Sequence, residues 1–235
     1  MNEVIVQSQD AVTLVGGGPV TRRELAFAMV RAPVVVAADG GADRALAAGA
    51  MPRAVIGDFD SISEAAQRAI PADRLFKIAE QETTDFDKAL RSVNAPFMLA
   101  LGVAGARLDH GLAVMNALVR HDGAPCIVVG PKDVVFAAPR HLTLRLKVGD
   151  ALSLFPMAPV MGSSRGLRWP IEGLQFAPGG RIGTSNEVSE AEVSMQFDQQ
   201  GMLVIVPRAR LDAVINALVP TWRPPHRGQP AVRGG

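Results

Sequence analysis

Val12-Thr-Leu-Val-Gly-Gly-Gly-Pro19, Thr21-Arg-Arg-Glu-Leu-Ala-Phe-Ala-Met-Val30 and Val34-Val-Val-Ala-Ala-Asp-Gly-Gly41 follow one another near the N-terminus. The first and third begin as short, continuous apolar runs rich in β-branched residues and end in glycine. That is the pattern of strands buried on both faces. The middle segment reads as a helix over Arg22 to Val30. Thr21 stands at its N-cap, and Glu24 follows three residues later as a capping-box partner. Strand, glycine turn, helix, strand is the βαβ unit of a parallel sheet.

The same alternation continues outward. Ala42 to Ala48 reads as a short helix, Ala54 to Ile56 as a strand and Ser63 to Ala69 as a helix. Asp85 to Val93 is expected to be helical, Phe97 to Leu101 a strand, Leu108 to Arg120 a longer helix and Cys126 to Val129 a strand. After about Lys132 helical periodicity fades and alternating runs take over: Leu142 to Val148, Ala151 to Phe155, Glu192 to Phe197 and Met202 to Val206. Glycine and proline turns separate them, as in a small antiparallel sandwich or barrel. The fold class expected is therefore α/β plus all-β, with an N-terminal parallel-sheet α/β sandwich followed by a small antiparallel β-sandwich. The boundary falls between 131 and 141, giving units 1–133 and 134–219. The Pro/Arg/Gly-rich stretch 220–235 contains no acid and reads as a flexible tail.

Composition excludes several classes. With 48% hydrophobic residues, the 235-residue chain has material for a large core, which rules out global disorder. A net charge of +1 gives no field for nucleic acid. Aromatic residues make up 5% of the chain and tyrosine is absent, which argues against a stacking platform for single strands. No apolar run is long enough to span a membrane, and Met1 to Asp10 has no secretory pattern. The single cysteine, Cys126, cannot form an intrachain disulfide, so a reducing, cytoplasmic setting is expected.

Chemistry-bearing residues gather where strands end. Asp39 follows the run Val34 to Ala38. Asp58 and Asp60 follow Ala54 to Ile56, in Gly57-Asp-Phe-Asp-Ser61. Asp109 lies in Gly105-Ala-Arg-Leu-Asp-His110, and Asp85 opens a helix in Thr83-Thr-Asp-Phe-Asp87. Ligands of open parallel sheets bind outside the carboxyl ends of the strands. Asp39 or Asp109 alone reads as a cap or turn former, and Asp43, Asp73 and Asp87 read as caps or solvated charges. Four strand-end aspartates together favour a site. Clustered carboxylates repel unless a cation intervenes, and magnesium takes oxygen ligands shared with phosphates. Asp58 and Asp60, at i and i+2 of an extended segment, share one face. The turns Gly16 to Gly18 and Gly40-Gly41 can bring backbone amides to phosphate oxygens, although no dinucleotide fingerprint or Walker loop is present. Arg107 suits a bidentate grip on phosphate; its alternative is a surface ion pair with Asp109. Cys126 reads as a buried hydrophobe, and the four histidines lack metal-ligand spacing. Trp169, Ser185 and Asn186 read on chemistry alone as a core tryptophan and a turn.

Taken together, six ordered blocks resemble the thiamine pyrophosphokinase family. They are Ala38 to Arg44, Gly57 to Ser61, Thr84 to Leu90, Gly102 to His110 with Asn116, Gly166 to Trp169, and Thr184 to Glu187. The resemblance spans roughly residues 12 to 206. It implies an α/β domain for ATP and magnesium and a β-sandwich domain that helps bind thiamine. It also implies a homodimer with thiamine at the subunit interface, with no nucleic acid or membrane partner. The implied reaction moves the terminal pyrophosphoryl group of ATP to the thiamine hydroxyl, giving thiamine diphosphate and AMP. By position, the resemblance makes Asp58, Asp60 and Asp85 the Mg2+ site and catalytic carboxylates. It puts Asp39, Gly40, Arg107 and Asp109 around ATP, and Trp169, Ser185, Asn186 and Gln81 around thiamine. Two departures stand out: Asp43 where the family commonly has Asn, and Ala106 in place of a second glycine before Arg107. The rival readings are a metal-dependent nucleotide phosphohydrolase and a non-catalytic thiamine or nucleotide sensor.

Overall fold

The computed structural model describes residues 4–105 and 107–223. Ala106 and most of the expected tail, 224–235, lie outside the described residues. In chain order the elements are β1 (Val6–Gln7), β2 (Val12–Val15), α1 (Arg22–Met29), β3 (Val34–Ala38), α2 (Gly41–Ala47), β4 (Ala54–Gly57), α3 (Glu64–Ala69), β5 (Leu75–Lys77), α4 (Asp85–Arg91), β6 (Val93–Asn94), β7 (Met98–Leu101), α5 (Leu108–Arg120) and β8 (Cys126–Val129). There follow β9 (Asp133–Ala137), β10 (His141–Arg145), β11 (Ala151–Pro156), β12 (Val160–Arg165), β13 (Gln175–Phe176), β14 (Gly183–Glu187), β15 (Glu192–Phe197), β16 (Met202–Pro207) and α6 (Leu211–Leu218). Among the described residues no helix is long and apolar enough to cross a membrane.

The apolar runs form the centre of one large sheet, ordered β14-β11-β16-β9-β8-β7-β2-β3-β4-β5. From β8 to β5 every pairing is parallel. All residues of β2, β4, β7 and β8 are buried, as continuous apolar strands covered on both faces must be. The capping box expected at Thr21 and Glu24 is present and starts α1. Helices α1 and α2 cover one face, contributing Leu25, Ala28, Ala45 and Ala48. The other face packs on Phe86, Ala89 and Leu90 of α4 and on Val114, Ala117 and Leu118 of α5.

Both expected halves are present, and the parallel sheet runs without a break into the antiparallel strands. β9 pairs antiparallel with β8, β16 with β9, β11 with β16 and β14 with β11. A second sheet, β10-β15-β12-β13, faces these strands. Leu144, Val193 and Met195 of that sheet belong to the same apolar cluster as Leu152, Leu154, Val204 and Phe136. Each large side chain buried there contributes about 1.5–3 kcal/mol. One correction concerns α6, since helical periodicity was expected to fade after Lys132. Leu211, Val214 and Ile215 form its inward stripe and close the end of this core.

The strand order sets the position of the site. From β2 the chain proceeds through β3 and β4 to β5 on one side, then returns to β7 on the other side of β2. The carboxyl ends of β2 and β7 therefore flank a topological switch point, where a crevice opens. The two loops nearly touch there: a side chain at Gly16 would come within 2.7 Å of the Gly102 carbonyl oxygen. Gly41 seats the start of α2 directly on β2, because a Cβ there would lie 1.9 Å from the Val15 carbonyl oxygen.

Candidate active site

A cleft of about 650 Å³ opens at this switch point. Its floor is Gly16, Gly17 and Gly18 after β2, and Gly102 and Val103 after β7. Its acidic wall carries Asp39 and Gly40 after β3, Asp58 after β4, and Gln81 and Asp85 at the entry to α4. Arg44, Lys88, Arg107 and His110 supply its basic groups.

Local geometry explains why the carboxylates converge. Asp39 ends β3 with φ 43°, a left-handed conformation that turns its side chain back over the strand ends. Its Oδ2 accepts the Ser61 amide at 2.9 Å, while Oδ1 is buried with no hydrogen-bond partner. Asp58 Oδ1 accepts the amide of Asp60 at 3.2 Å, an Asx turn across Phe59, which has φ 68°. Asp58 Oδ2 accepts from Gln81 at 3.1 Å and from Lys88 Nζ at 3.5 Å. Asp85 is the first residue of α4, after the N-cap Thr84, and its Oδ1 accepts from Lys88 Nζ at 3.0 Å. Gly57 makes this crowding possible: a Cβ there would lie 2.7 Å from the Asp39 Cβ and 3.2 Å from Asp85 Oδ1. Among the described residues the non-glycine positions with positive φ are Asp39, Phe59 and Ser185. All three lie at or between site residues expected from the sequence, where backbone strain tends to concentrate.

One carboxylate oxygen from each of Asp39, Asp58 and Asp60 lies within 4.8 Å of the other two. Burial raises the Asp39 carboxyl to about 6; the charges of Asp85 and Asp60 add to the rise and the Ser61 amide opposes it. Burial opposes the charge of Asp58 too, but hydrogen bonds from the Asp60 amide, Gln81 and Lys88 outweigh it and hold that carboxyl below its usual range. The donor set consists of carboxylate oxygens, and Asp39 Oδ1 is buried without a partner. A hard divalent cation such as Mg2+ fits these residues.

The other expected residues divide into two groups. Arg107 lines the cleft but is paired with Asp109 at 2.6 Å, and Asp109 is not part of the lining. Trp169, Ser185 and Asn186 lie elsewhere, at the β14 edge of the large sheet. β14 is seven strands from β3, roughly 33 Å at the usual spacing of about 4.8 Å per strand. Trp169 is not a core residue, as its chemistry alone suggested; it is 54% exposed. The Arg168 guanidinium lies 5.1 Å from its ring centroid and pairs with Glu187. The polar run around Ser185 is a strand rather than a turn. Asn186 is buried and uses its amide to bracket the Trp169 backbone, accepting its N–H at 3.2 Å and donating to its carbonyl at 2.7 Å. Ser185 donates its N–H to Ser153 Oγ at 2.9 Å, leaving its own side chain exposed.

Sequence reasoning gave no role to several cleft residues. Lys88 is 1% exposed and bridges Asp58 and Asp85, and its signal was its place three residues after Asp85 on the inner face of α4. Asp43 lines the cleft and also accepts the Ser63 amide at 3.0 Å and the Ser63 hydroxyl, which ties α2 to the start of α3. Arg44 lines the floor and donates to the Gly17 carbonyl at 3.1 Å.

Two family models match in order. "Thiamin pyrophosphokinase, catalytic domain" matches residues 27–128, and "Thiamin pyrophosphokinase, vitamin B1 binding domain" matches residues 141–202, together well over half of the chain. The chain belongs to the thiamin pyrophosphokinase family. Thiamine pyrophosphokinase 1 of Oryza sativa subsp. japonica is 27% identical over 166 residues, 63% of this chain and 63% of that protein. Thiamin pyrophosphokinase 1 of Caenorhabditis elegans is 26% identical over 163 residues, 62% of this chain and 66% of that one. The match spans slightly less than two thirds of the length of these curated relatives. The fold is that of solved family members. Thiamin pyrophosphokinase from Candida albicans superposes with a TM-score of 0.73 at 16% identity, covering 86% of this chain and 92% of the other. The enzyme from Geobacillus thermodenitrificans superposes with a TM-score of 0.69 at 24% identity, covering 84% and 96%. In this thiamin pyrophosphokinase family member the acidic residues of the cleft fall within the catalytic-domain match, the Gly16 to Gly18 floor precedes it, and Trp169, Ser185 and Asn186 fall within the vitamin B1 match.

Proposed function

We propose that the chain transfers the pyrophosphoryl group of ATP to the hydroxyl of thiamine, forming thiamine diphosphate and AMP. The observation that carries this reading is the convergence of Asp39, Asp58 and Asp85 beside a glycine floor at the switch point, with Asp60 close to Asp39 and Asp58, in a chain of this family. Asp58, which lines the cleft, and Asp60, which is not part of the lining, belong both to the set expected from sequence and to the trio whose oxygens converge, and they would hold Mg2+. Asp39 offers its unpaired oxygen on one side of them, and Asp85 stands on the other. Bound there, the ion would neutralise polyphosphate charge and the charge developing on the bridging oxygen of AMP. The Gly16 and Gly18 amides are already donated to the Leu101 and Gly102 carbonyls at 2.8 Å, so the amides of Gly17 and Gly40, with the Arg107 guanidinium once it leaves Asp109, would orient the phosphates. The thiamine oxygen attacks the β-phosphorus, the bond from that phosphorus to the AMP oxygen breaks, and the hydroxyl proton passes to a carboxylate, Asp85 or Asp60. Rate acceleration of this kind comes from positioning and electrostatics.

Residues 1–133 act in this reading as the catalytic unit and residues 134–219 as the thiamine-binding unit. The seven-strand separation of β14 from β3 along the sheet supports a homodimer. Trp169, Ser185 and Gln81 can then meet one thiamine when the β14 edge of one chain faces the cleft of the other, with Asn186 holding the Trp169 segment. Exposed apolar side chains beside the cleft, Leu108 and Leu112, and near the far edge, Ile182 and Phe155, fit such a pairing. A cytoplasmic setting fits Cys126, whose burial pushes its thiol up to about 12 and leaves it unreactive. The test is AMP release from ATP with and without thiamine and Mg2+. Release that needs both supports the reading; thiamine-independent hydrolysis, or no AMP at all, overturns it.

A further inference from the structure

We propose that Lys88 is a positioning residue, a built-in counter-ion that holds the acidic cleft open without metal and limits how strongly the cleft attracts divalent cations. The proposal rests on the reading of the cleft as a divalent-cation site. A lysine is rarely buried, because its charge loses hydration, and a buried one needs charged partners. Lys88 is 1% exposed, yet it lies in the wall of a polar cleft. Its ammonium donates to Asp85 Oδ1 at 3.0 Å and to Asp58 Oδ2 at 3.5 Å. The two carboxylates belong to different elements, the loop after β4 and the first turn of α4, so the lysine joins them. Nζ spends two of its three donors on these carboxylates, and the rest of the side chain is packed away. The contacts it makes are to Asp58 and Asp85, and its role is argued through them.

The lysine also divides the carboxylate oxygens between two kinds of cation. It occupies Asp85 Oδ1 and Asp58 Oδ2. It leaves Asp39 Oδ1, buried and unpaired, untouched, and Asp39 is grouped with Asp58 and Asp60. An ion entering the cleft meets a fixed positive charge already bound to Asp58 and Asp85. That charge lowers the attraction for a first divalent cation and opposes a second.

The test uses the full chain with MgCl2 alone, no nucleotide, read by thermal unfolding and by titration calorimetry. In Lys88→Gln the unfolding temperature in EDTA should fall, because Asp58 and Asp85 then repel one another unscreened. The Mg2+-induced rise should exceed that of the parent, with affinity tighter by about tenfold or more. Lys88→Arg should stay near the parent in both readouts. If Lys88→Gln does not fold even with Mg2+, the double variant Lys88→Met/Asp85→Asn, which removes both charges of the closer pair, should fold in EDTA. An equal Mg2+ response in Lys88→Gln and the parent overturns the proposal, as does failure of the double variant to fold. A parent protein with no Mg2+ response at all would instead overturn the cation-site reading on which the proposal rests.

Discussion

Gly57→Ala is a one-methyl probe of the site. The added Cβ would lie 2.7 Å from the Asp39 Cβ, 3.2 Å from its Cα and 3.2 Å from Asp85 Oδ1. Ordinary contact begins near 3.4 Å, so the closest approach is about 0.7 Å too short. The neighbours cannot easily yield. The Asp39 backbone is held by its amide bond to the Ile56 carbonyl at 3.0 Å and by its unusual φ, and Asp85 is tied to Lys88. Overpacking of this kind costs about 1–3 kcal/mol of stability. A carboxylate displaced by a sizeable fraction of an ångström should cost on the order of 100-fold in turnover. The assay is AMP formation under saturating ATP, thiamine and Mg2+, paired with denaturant unfolding. Gly49→Ala is the control. Gly49 has φ +88° and open space around it, so alanine there should lose about 1 kcal/mol to backbone strain and leave the rate unchanged. A Gly57→Ala protein that turns over within about threefold of the parent would refute the claim that Gly57 sets the spacing of Asp39 and Asp85.

Asp39→Asn should weaken the Mg2+ response in thermal unfolding. Because burial raises the Asp39 carboxyl to about 6, the metal-free parent should gain stability as pH falls from 7 toward 5, where the folded state takes up a proton that the unfolded chain does not yet bind. The asparagine variant should show a flatter profile over that range in melts at several pH values. Arg210→Ala tests the far core: Arg210 holds the Asp150 carboxyl below its usual range through contacts at 2.5 and 3.1 Å. Its stabilisation is present above the unfolded carboxylate range and is lost as pH falls below about 4, so the variant should lose about 1.5–3 kcal/mol at pH 7 and much less at pH 3. Trp169→Ala should raise the KM for thiamine about tenfold or more while leaving the KM for ATP unchanged, which steady-state kinetics with each substrate varied would detect.

The fold was legible where period and burial agree. Val12–Val15, Val34–Ala38 and Cys126–Val129 are buried on both faces, so their apolar runs have no competing interpretation. Leu108–Arg120 is long enough for its helical stripe to be unambiguous. β12 and β14 carry no such signal. Gly-Ser-Ser within β12 and Gly-Thr-Ser-Asn-Glu of β14 pair through the backbone, and β14 breaks register opposite Ser153, where Ser185 turns left-handed. The helix α6 has the right spacing at Leu211, Val214 and Ile215, but two turns after a run of strands are too few to stand out. Strand-end position grouped Asp39, Asp58, Asp60 and Asp109; the structure gathers the first three, while Asp109 pairs with Arg107 outside the cleft lining. The Asp85–Lys88 pair was not legible in that way, since a lysine one turn into a helix is ordinarily solvated and only the packing of α4 against β3 and β4 buries it. Sequence also could not reveal that the Asn186 amide is consumed by the Trp169 backbone.

The most direct test is a crystal of the protein grown with Mn2+ and a non-hydrolysable ATP analogue, with anomalous scattering used to locate the ion. A peak bonded to oxygens of Asp58 and Asp60 and to the analogue's phosphates, beside Asp39, is the predicted result. A nucleotide bound with its ion away from these carboxylates, or with no ion between them and the polyphosphate, would contradict the account.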